Sequence, residues 1–168
     1  MSTPLPLAEL VEWTSSVAAD VRAGLYDVRA DADERWHVRL YRDDKVDLWL
    51  ISWTTDQGTQ LHDHGGSSGA FTVVEGELTA SSWVEGPGIL RDHARAAGDT
   101  VVFGSHYVHD VRNTQTQTAV SVHAYSPPLE TMSFYDVEDH RLVPLAQLWT
   151  DDPEEQLPAE VAEQRRAS

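Results

Sequence analysis

Gln60-Leu61-His62-Asp63-His64-Gly65-Gly66-Ser67-Ser68-Gly69 sets two histidines one residue apart and follows them with small residues. On a strand, alternate side chains share a face. His62 and His64 would then project side by side, with Asp63 pointing away. Neutral imidazoles suit divalent iron, zinc, copper or nickel. Two ligands rarely hold a catalytic metal alone, so the rest of the set must come from elsewhere in the chain.

The flanks extend the strand pattern in both directions. Trp36 to Tyr41 and Val46 to Trp53 are strand candidates upstream, joined by the polar turn Arg42-Asp43-Asp44-Lys45. Downstream come Ala70 to Val74, a turn at Glu75-Gly76-Glu77, and strands at Leu78 to Val84, Ile89 to Ala94, Thr100 to Phe103, His109 to Asn113 and Ala119 to Tyr125. Two more are expected near Thr131 to Asp136 and Arg141 to Pro144. Many short strands with polar, glycine-containing turns and no interleaved helices predict an all-β sandwich or barrel. Before them, Leu7, Leu10, Val11, Val17, Ala18 and Val21 fall at helical spacing, which predicts a helix from Pro6 to Arg22 stopped at Gly24.

The domain expectation is one unit. Residues 1–34 form a helical cap, 35–149 the barrel, and 150–168 an acidic tail whose last ten residues are expected to be poorly ordered. The chain has 168 residues and a formal net charge of −16, from 12 Lys+Arg against 28 Asp+Glu. Such a charge disfavours nucleic acid and anionic membrane as partners. There is no cysteine, which excludes disulfides, thiolate metal sites and cysteine nucleophiles. The N-terminus shows neither a basic segment nor a long apolar run, so a cytoplasmic protein is expected.

Of the eight histidines, His37, His93 and His140 lack partners at a useful spacing and are read as structural or exposed. His106 competes with His109 as a third ligand, but the two would lie on opposite faces of a strand. The run from Gly98 to Asn113 resembles the second sequence motif of the cupin superfamily, with Gly98, His109 and Asn113 in register and Gly104 and His106 departing from it. The first cupin motif is met by His62, His64 and Gly76. It departs at Asp56, where a glycine is usual, and at Gly69, where a glutamate ligand is usual. The resemblance implies a cupin barrel (a double-stranded β-helix, or jelly roll) with a short N-terminal helical segment. Without the glutamate, the implied site is three neutral imidazoles, which favours a substrate that brings its own negative charge.

Ser121-Val122-His123-Ala124-Tyr125-Ser126-Pro127-Pro128 narrows the resemblance. Together with Trp53 nine residues before His62, the H-D-H run, and Val108 to Asn113, it is similar to the cysteine dioxygenase type I family of thiol dioxygenases. The resemblance implies Fe(II) held by His62, His64 and His109. L-Cysteine would chelate it through thiolate and amine, and O2 would deliver both atoms to sulfur. Arg42 is the match for the arginine that clamps the substrate carboxylate, with Arg39 as fallback. Tyr125 would hydrogen-bond the substrate side, His123 would orient Tyr125, and Ser121 would orient His123. Trp53 is expected to be core packing and Asn113 a turn residue. Animal members carry a cysteine at the position of Gly69, cross-linked to the tyrosine that matches Tyr125. Gly69 therefore implies the bacterial branch and a free Tyr125 phenol. A monomer is the family-like state.

Two other readings stay open on the sequence. One is a dioxygenase for 3-mercaptopropionate or another small thiol. The other is a non-catalytic cupin module that binds a small molecule.

Overall fold

Leu10, Val17, Ala18 and Val21 recur at the spacing of one helix face, and the computed structural model, which describes residues 3–158, has α1 at Leu7–Arg22 with these residues buried. Pro6 is the N-cap residue, and Glu9 and Arg22 lie at the ends where the helix dipole favours their charges. Gly24 closes the helix at a φ of 83°, the left-handed conformation common after a helix C-terminus.

The rest is strand: β1 (His37–Arg42), β2 (Asp47–Trp53), β3 (His62–Asp63), β4 (Ser68–Glu75), β5 (Glu77–Val84), β6 (Ile89–Ala96), β7 (Thr100–Phe103), β8 (His109–Arg112), β9 (Ala119–Ser126), β10 (Thr131–Glu138) and β11 (Arg141–Trp149). They pair into two sheets, β1-β2-β9-β4-β7 and β11-β10-β3-β8-β5-β6. This is the expected all-β architecture with one N-terminal helix. β11 runs five residues beyond the expected Pro144, because a shift of register between Phe134 and Tyr135 lets it stay paired with β10 past that proline.

Every residue of β2 and β9 is buried, because both faces of their sheet are covered. On the outer face, Leu48, Leu50, Ala70, Val122 and Ala124 pack with the apolar stripe of α1. On the inner face, Trp49, Ile51, Phe71, Val73 and Tyr125 fill the space towards the second sheet. Burial of each Leu, Ile, Val or Phe among them contributes about 1.5–3 kcal/mol. Register then fixes the interior layers: Asp47 pairs with Tyr125 and Gly69 with Tyr125, while Trp49 and Phe71 flank His123.

Residues 150–158 do not hang free. Asp151 pairs with Arg39 at 3.0 Å and Asp152 with His37 at 3.3 Å. Glu154 forms a buried ion pair with Arg35. Leu157 exchanges two hydrogen bonds with the Gln60 side chain. Arg35, His37 and Arg39 occupy alternate positions, and an acidic strap lies along them. The expected disorder of the last ten residues concerns 159–168, outside the described residues.

The strap has a pH window. Hydrogen bonding to Asp152 outweighs burial and raises His37 to about 9, while the same bond holds Asp152 below the usual carboxylate range. A group with a raised folded pKa stabilises below its unfolded pKa and loses that contribution as pH rises through the folded value. The pair should therefore hold the strap at neutral pH and release it above about pH 9. Amide exchange at Leu157, measured from pH 7 to 10 and corrected for intrinsic rate, should show protection falling there in wild type but not in His37→Gln. Unchanged protection in wild type would refute the window.

Candidate metal centre

Two strands and a turn bring three imidazoles together. β3 carries His62, the turn after it His64, and β8 His109, which is the register partner of His62. β3 is only two residues long, because Asp63 Oδ1 accepts a hydrogen bond from the Gly65 amide at 2.9 Å and folds the chain into a turn. Tyr135 donates to Asp63 Oδ2 at 2.8 Å. Asp63 thus faces away from the histidines and shapes the loop that aims His64.

The ligand atoms of His62, His64 and His109 lie within 4.8 Å of one another, and all three residues are buried. His62 Nδ1 sits 2.6 Å from the Gln60 carbonyl. That oxygen only accepts, so Nδ1 carries the hydrogen and Nε2 presents a bare lone pair. His62 Nε2 is 3.2 Å from His64 Nε2. Two ligands at right angles, each about 2.1 Å from a metal, stand about 3.0 Å apart. Burial pushes His62 down to about 4 and holds His64 and His109 well below the usual imidazole range. All three are neutral at pH 7, as metal ligation requires. His64 Nδ1 is buried without a hydrogen-bond partner. The donor set, its neutrality and its convergence fit a divalent metal ion.

Ser121, His123 and Tyr125 share the interior face of β9 and are buried. Trp53 Nε1–H donates to Ser121 Oγ at 2.9 Å. Ser121 Oγ lies 2.8 Å from His123 Nε2, and a hydroxyl can accept from Trp53 and donate at once, so we place its hydrogen on the bond to that nitrogen. His123 is neutral, burial having lowered it to about 3, so its hydrogen is on Nδ1, which faces the Tyr125 oxygen at 3.5 Å. The chain of donors runs from Trp53 to Tyr125 and leaves the phenol's own proton free. Burial, the largest cause, raises the Tyr125 pKa well above 10, so the phenol is a donor at neutral pH. Its ring lies 4.7 Å from that of His64, centroid to centroid.

A cavity of about 430 Å³ opens onto this site. His64, Ser67 and Pro127 line it, and so does Arg42. Arg39 instead lies over the Trp49 ring at 4.8 Å and pairs with Asp151. His106 is exposed in the turn before β8, at a φ of 61°. Asn113 is a buried turn anchor, its side-chain amide donating to the Trp53 and Gln117 carbonyls at 2.8 Å each. Asp56, at a φ of 68°, holds a left-handed conformation, which accounts for glycine being usual there. Two residues with a part in the site, Phe103 and Asp47, escaped the sequence reading, and Trp53 has a role there beyond the core packing expected of it. Trp53 begins the donor chain besides packing in the core. Phe103 stacks on His64 at 5.3 Å. Asp47 is a fully buried acid near Arg42. Of Phe103 and Asp47, only Asp47 left a signal, an acid opening the apolar run Leu48 to Ile51.

A sequence model of the family described as "Cysteine dioxygenase type I" matches residues 25–138. Human cysteine dioxygenase type 1 is 29% identical over 104 residues, covering 55% of this chain and 50% of that protein. The zebrafish (Danio rerio) cysteine dioxygenase type 1 is 29% identical over 105 residues with the same coverage. The chain thus spans about half the length of the curated relatives it matches. Among solved structures, an RmlC-like cupin protein from Desulfovibrio desulfuricans superposes with a TM-score of 0.53 at 18% identity, covering 62% of this chain and 93% of that one. A protein with a double-stranded β-helix domain from Klebsiella pneumoniae gives 0.53 at 17% identity, over 83% of this chain and all of that one. At these identities the structural likeness shows the fold, which is that of the cupins.

Proposed function

Because the chain belongs to the cysteine dioxygenase type I family, we propose that it is a thiol dioxygenase. The reading has L-cysteine and O2 combining to give cysteine sulfinic acid, with both oxygen atoms of O2 ending on sulfur. The observation that carries it is the convergence of three neutral, buried imidazoles beside a cavity that one of them shares with Arg42. The same reading has the enzyme acting as a cytoplasmic monomer.

His62, His64 and His109 would hold Fe(II). When bound, the ion supplies a Lewis-acidic, redox-active centre at which an anionic thiolate and O2 can meet. Three neutral ligands leave its full charge for an anionic sulfur to balance. Arg42 would grip the substrate carboxylate with its planar fork. The buried aromatic wall of Phe71, Phe103 and Tyr125 keeps bulk water from the reacting sulfur. Tyr125, its oxygen held by His123, donates its hydrogen towards the substrate side of the centre. Trp53 and Ser121 fix the His123 ring so that this donor does not swing away.

The test is O2 consumption by the Fe(II)-reconstituted protein with L-cysteine, 3-mercaptopropionate and cysteamine in parallel. L-Cysteine should be used with one O2 per thiol and the highest kcat/KM. A preference for 3-mercaptopropionate would transfer the assignment to that thiol. No thiol-dependent uptake with stoichiometric iron would sink the dioxygenase reading in favour of a binding module.

A further inference from the structure

Arg42 ends β1 with its guanidinium between two carboxylates. Nη1 lies 3.8 Å from Asp47 Oδ2 and 3.6 Å from Asp151 Oδ2. Both contacts exceed hydrogen-bond length, so the fork is held without being saturated.

The two acids differ in kind. Asp47 opens β2, is the register partner of both Arg42 and Tyr125, and is fully buried. Its Oδ2 accepts a hydrogen bond from the Trp49 indole at 3.3 Å and the Leu129 backbone lends weak support, whereas Oδ1 has no partner in hydrogen-bond geometry. Asp151 belongs to the strap, its side chain is 61% exposed, and it also pairs with Arg39. A buried carboxylate oxygen without a donor costs stability, so packing alone does not explain Asp47. Among the described residues, Arg42 is the cation within ion-pair distance of it. Asp47 is fixed by its strand and cannot leave. Asp151 stands in water, where ion pairs are weak, and can.

We propose that Asp47 is a positioning residue that fixes the Arg42 guanidinium over the cavity containing His64, and that Asp151 is the carboxylate which the substrate's own carboxylate displaces. This rests on the reading of the site as a thiol dioxygenase with Arg42 as the carboxylate anchor. Thiols bearing a carboxylate depend on Asp47 and compete with Asp151. A thiol without one does neither.

The experiment compares wild type, Asp47→Asn, Asp47→Glu and Asp151→Asn in the iron-loaded full chain. Asp47→Asn should raise KM for L-cysteine and 3-mercaptopropionate about tenfold, with kcat changed less than about twofold and KM for cysteamine unmoved. Asp47→Glu should recover part of that loss. Asp151→Asn, a surface change that leaves the fold intact, should lower KM for the two carboxylate thiols about two- to fivefold and not for cysteamine. It keeps the test decisive if Asp47→Asn does not fold. A KM increase that includes cysteamine, or an Asp151→Asn variant with an unchanged or raised KM, overturns the proposal.

A second readout needs no turnover and separates the proposal from the functional reading. In protein labelled with 15N-arginine, with Arg42→Lys identifying the signal, rotation about the Arg42 Nε–Cζ bond should quicken in Asp47→Asn and not in Asp151→Asn. If wild type consumes no O2 with any thiol, the dioxygenase reading falls, and this rotation still decides whether Asp47 positions Arg42. Equal rotation in wild type and Asp47→Asn overturns that role.

Discussion

His64→Ala is expected to abolish iron retention and thiol-dependent O2 uptake while leaving the fold intact. The three imidazoles are tied into the structure unequally. His62 Nδ1 is bonded to the Gln60 carbonyl, and His109 lies on a strand that β3 and β5 hold from both sides. His64 sits in a turn, and its Nδ1 has no hydrogen-bond partner. Its removal breaks one side-chain contact, that of its Nε2 with His62 Nε2 at 3.2 Å, and relieves a buried, unsatisfied nitrogen, which offsets part of the cavity it leaves. Two imidazoles remain, too few to retain a divalent ion through gel filtration. Loss of a residue that merely supports a ligand costs about 10–100-fold in affinity or activity, so loss of the ligand should exceed that range. Metal content after Fe(II) reconstitution, oxygen-electrode rates and thermal melting measure the three effects. Stoichiometric iron with wild-type rates in His64→Ala would sink the three-imidazole centre. A collapsed melting curve would instead show that His64 is structural.

The fold was legible because its signals are local. Period-two alternation, Gly76 and the helical spacing before Gly24 marked nearly every element, and β11 was read short because a proline stands inside it. Asp63 was expected to turn away, and it does, by bonding the Gly65 amide, although β3 is too short to be the regular strand imagined. What could not be read depends on pairing distant segments. The strap runs along Arg35, His37 and Arg39 because its acids match a basic alternation more than a hundred residues upstream. Each half of that match is visible in the sequence, and nothing local joins them. Trp53 reads as core from its apolar neighbours. Its indole N–H matters only because β2 and β9 set it beside Ser121. Asp47 is a single acid beside an apolar run, and its burial follows from its place on the inner face of β2, opposite Tyr125 and towards the second sheet.

Gly69→Glu is expected to destabilise the protein and lower its metal content rather than supply the missing fourth ligand. From the sequence, Gly69 stands where a cupin carboxylate is usual, so the change looks like a repair. The structure gives that position no room. A Cβ built on Gly69 lies 2.4 Å from Phe103 Cζ, 2.5 Å from Cε2 and 3.1 Å from the Ala124 carbonyl oxygen. Phe103 is the register partner of Gly69 across β4 and β7. Its ring is stacked between His64 at 5.3 Å and Tyr107 at 5.2 Å. It cannot yield to a new side chain without disturbing the His64 imidazole. Overpacking of this kind costs about 1–3 kcal/mol even for a methyl group, which for a chain of this size lowers Tm by about 2–12 °C. Gly69→Ala should show that loss, and Gly69→Glu should exceed it and retain less iron. Phe103→Val makes space, so in a double-mutant cycle Gly69→Ala should cost at least about 1 kcal/mol less in the Phe103→Val background. Melting temperatures and metal content of the four proteins decide the point. A Gly69→Glu variant with wild-type stability and tighter metal binding would mean that Phe103 yields freely, and that the glycine marks a ligand lost rather than a space already filled.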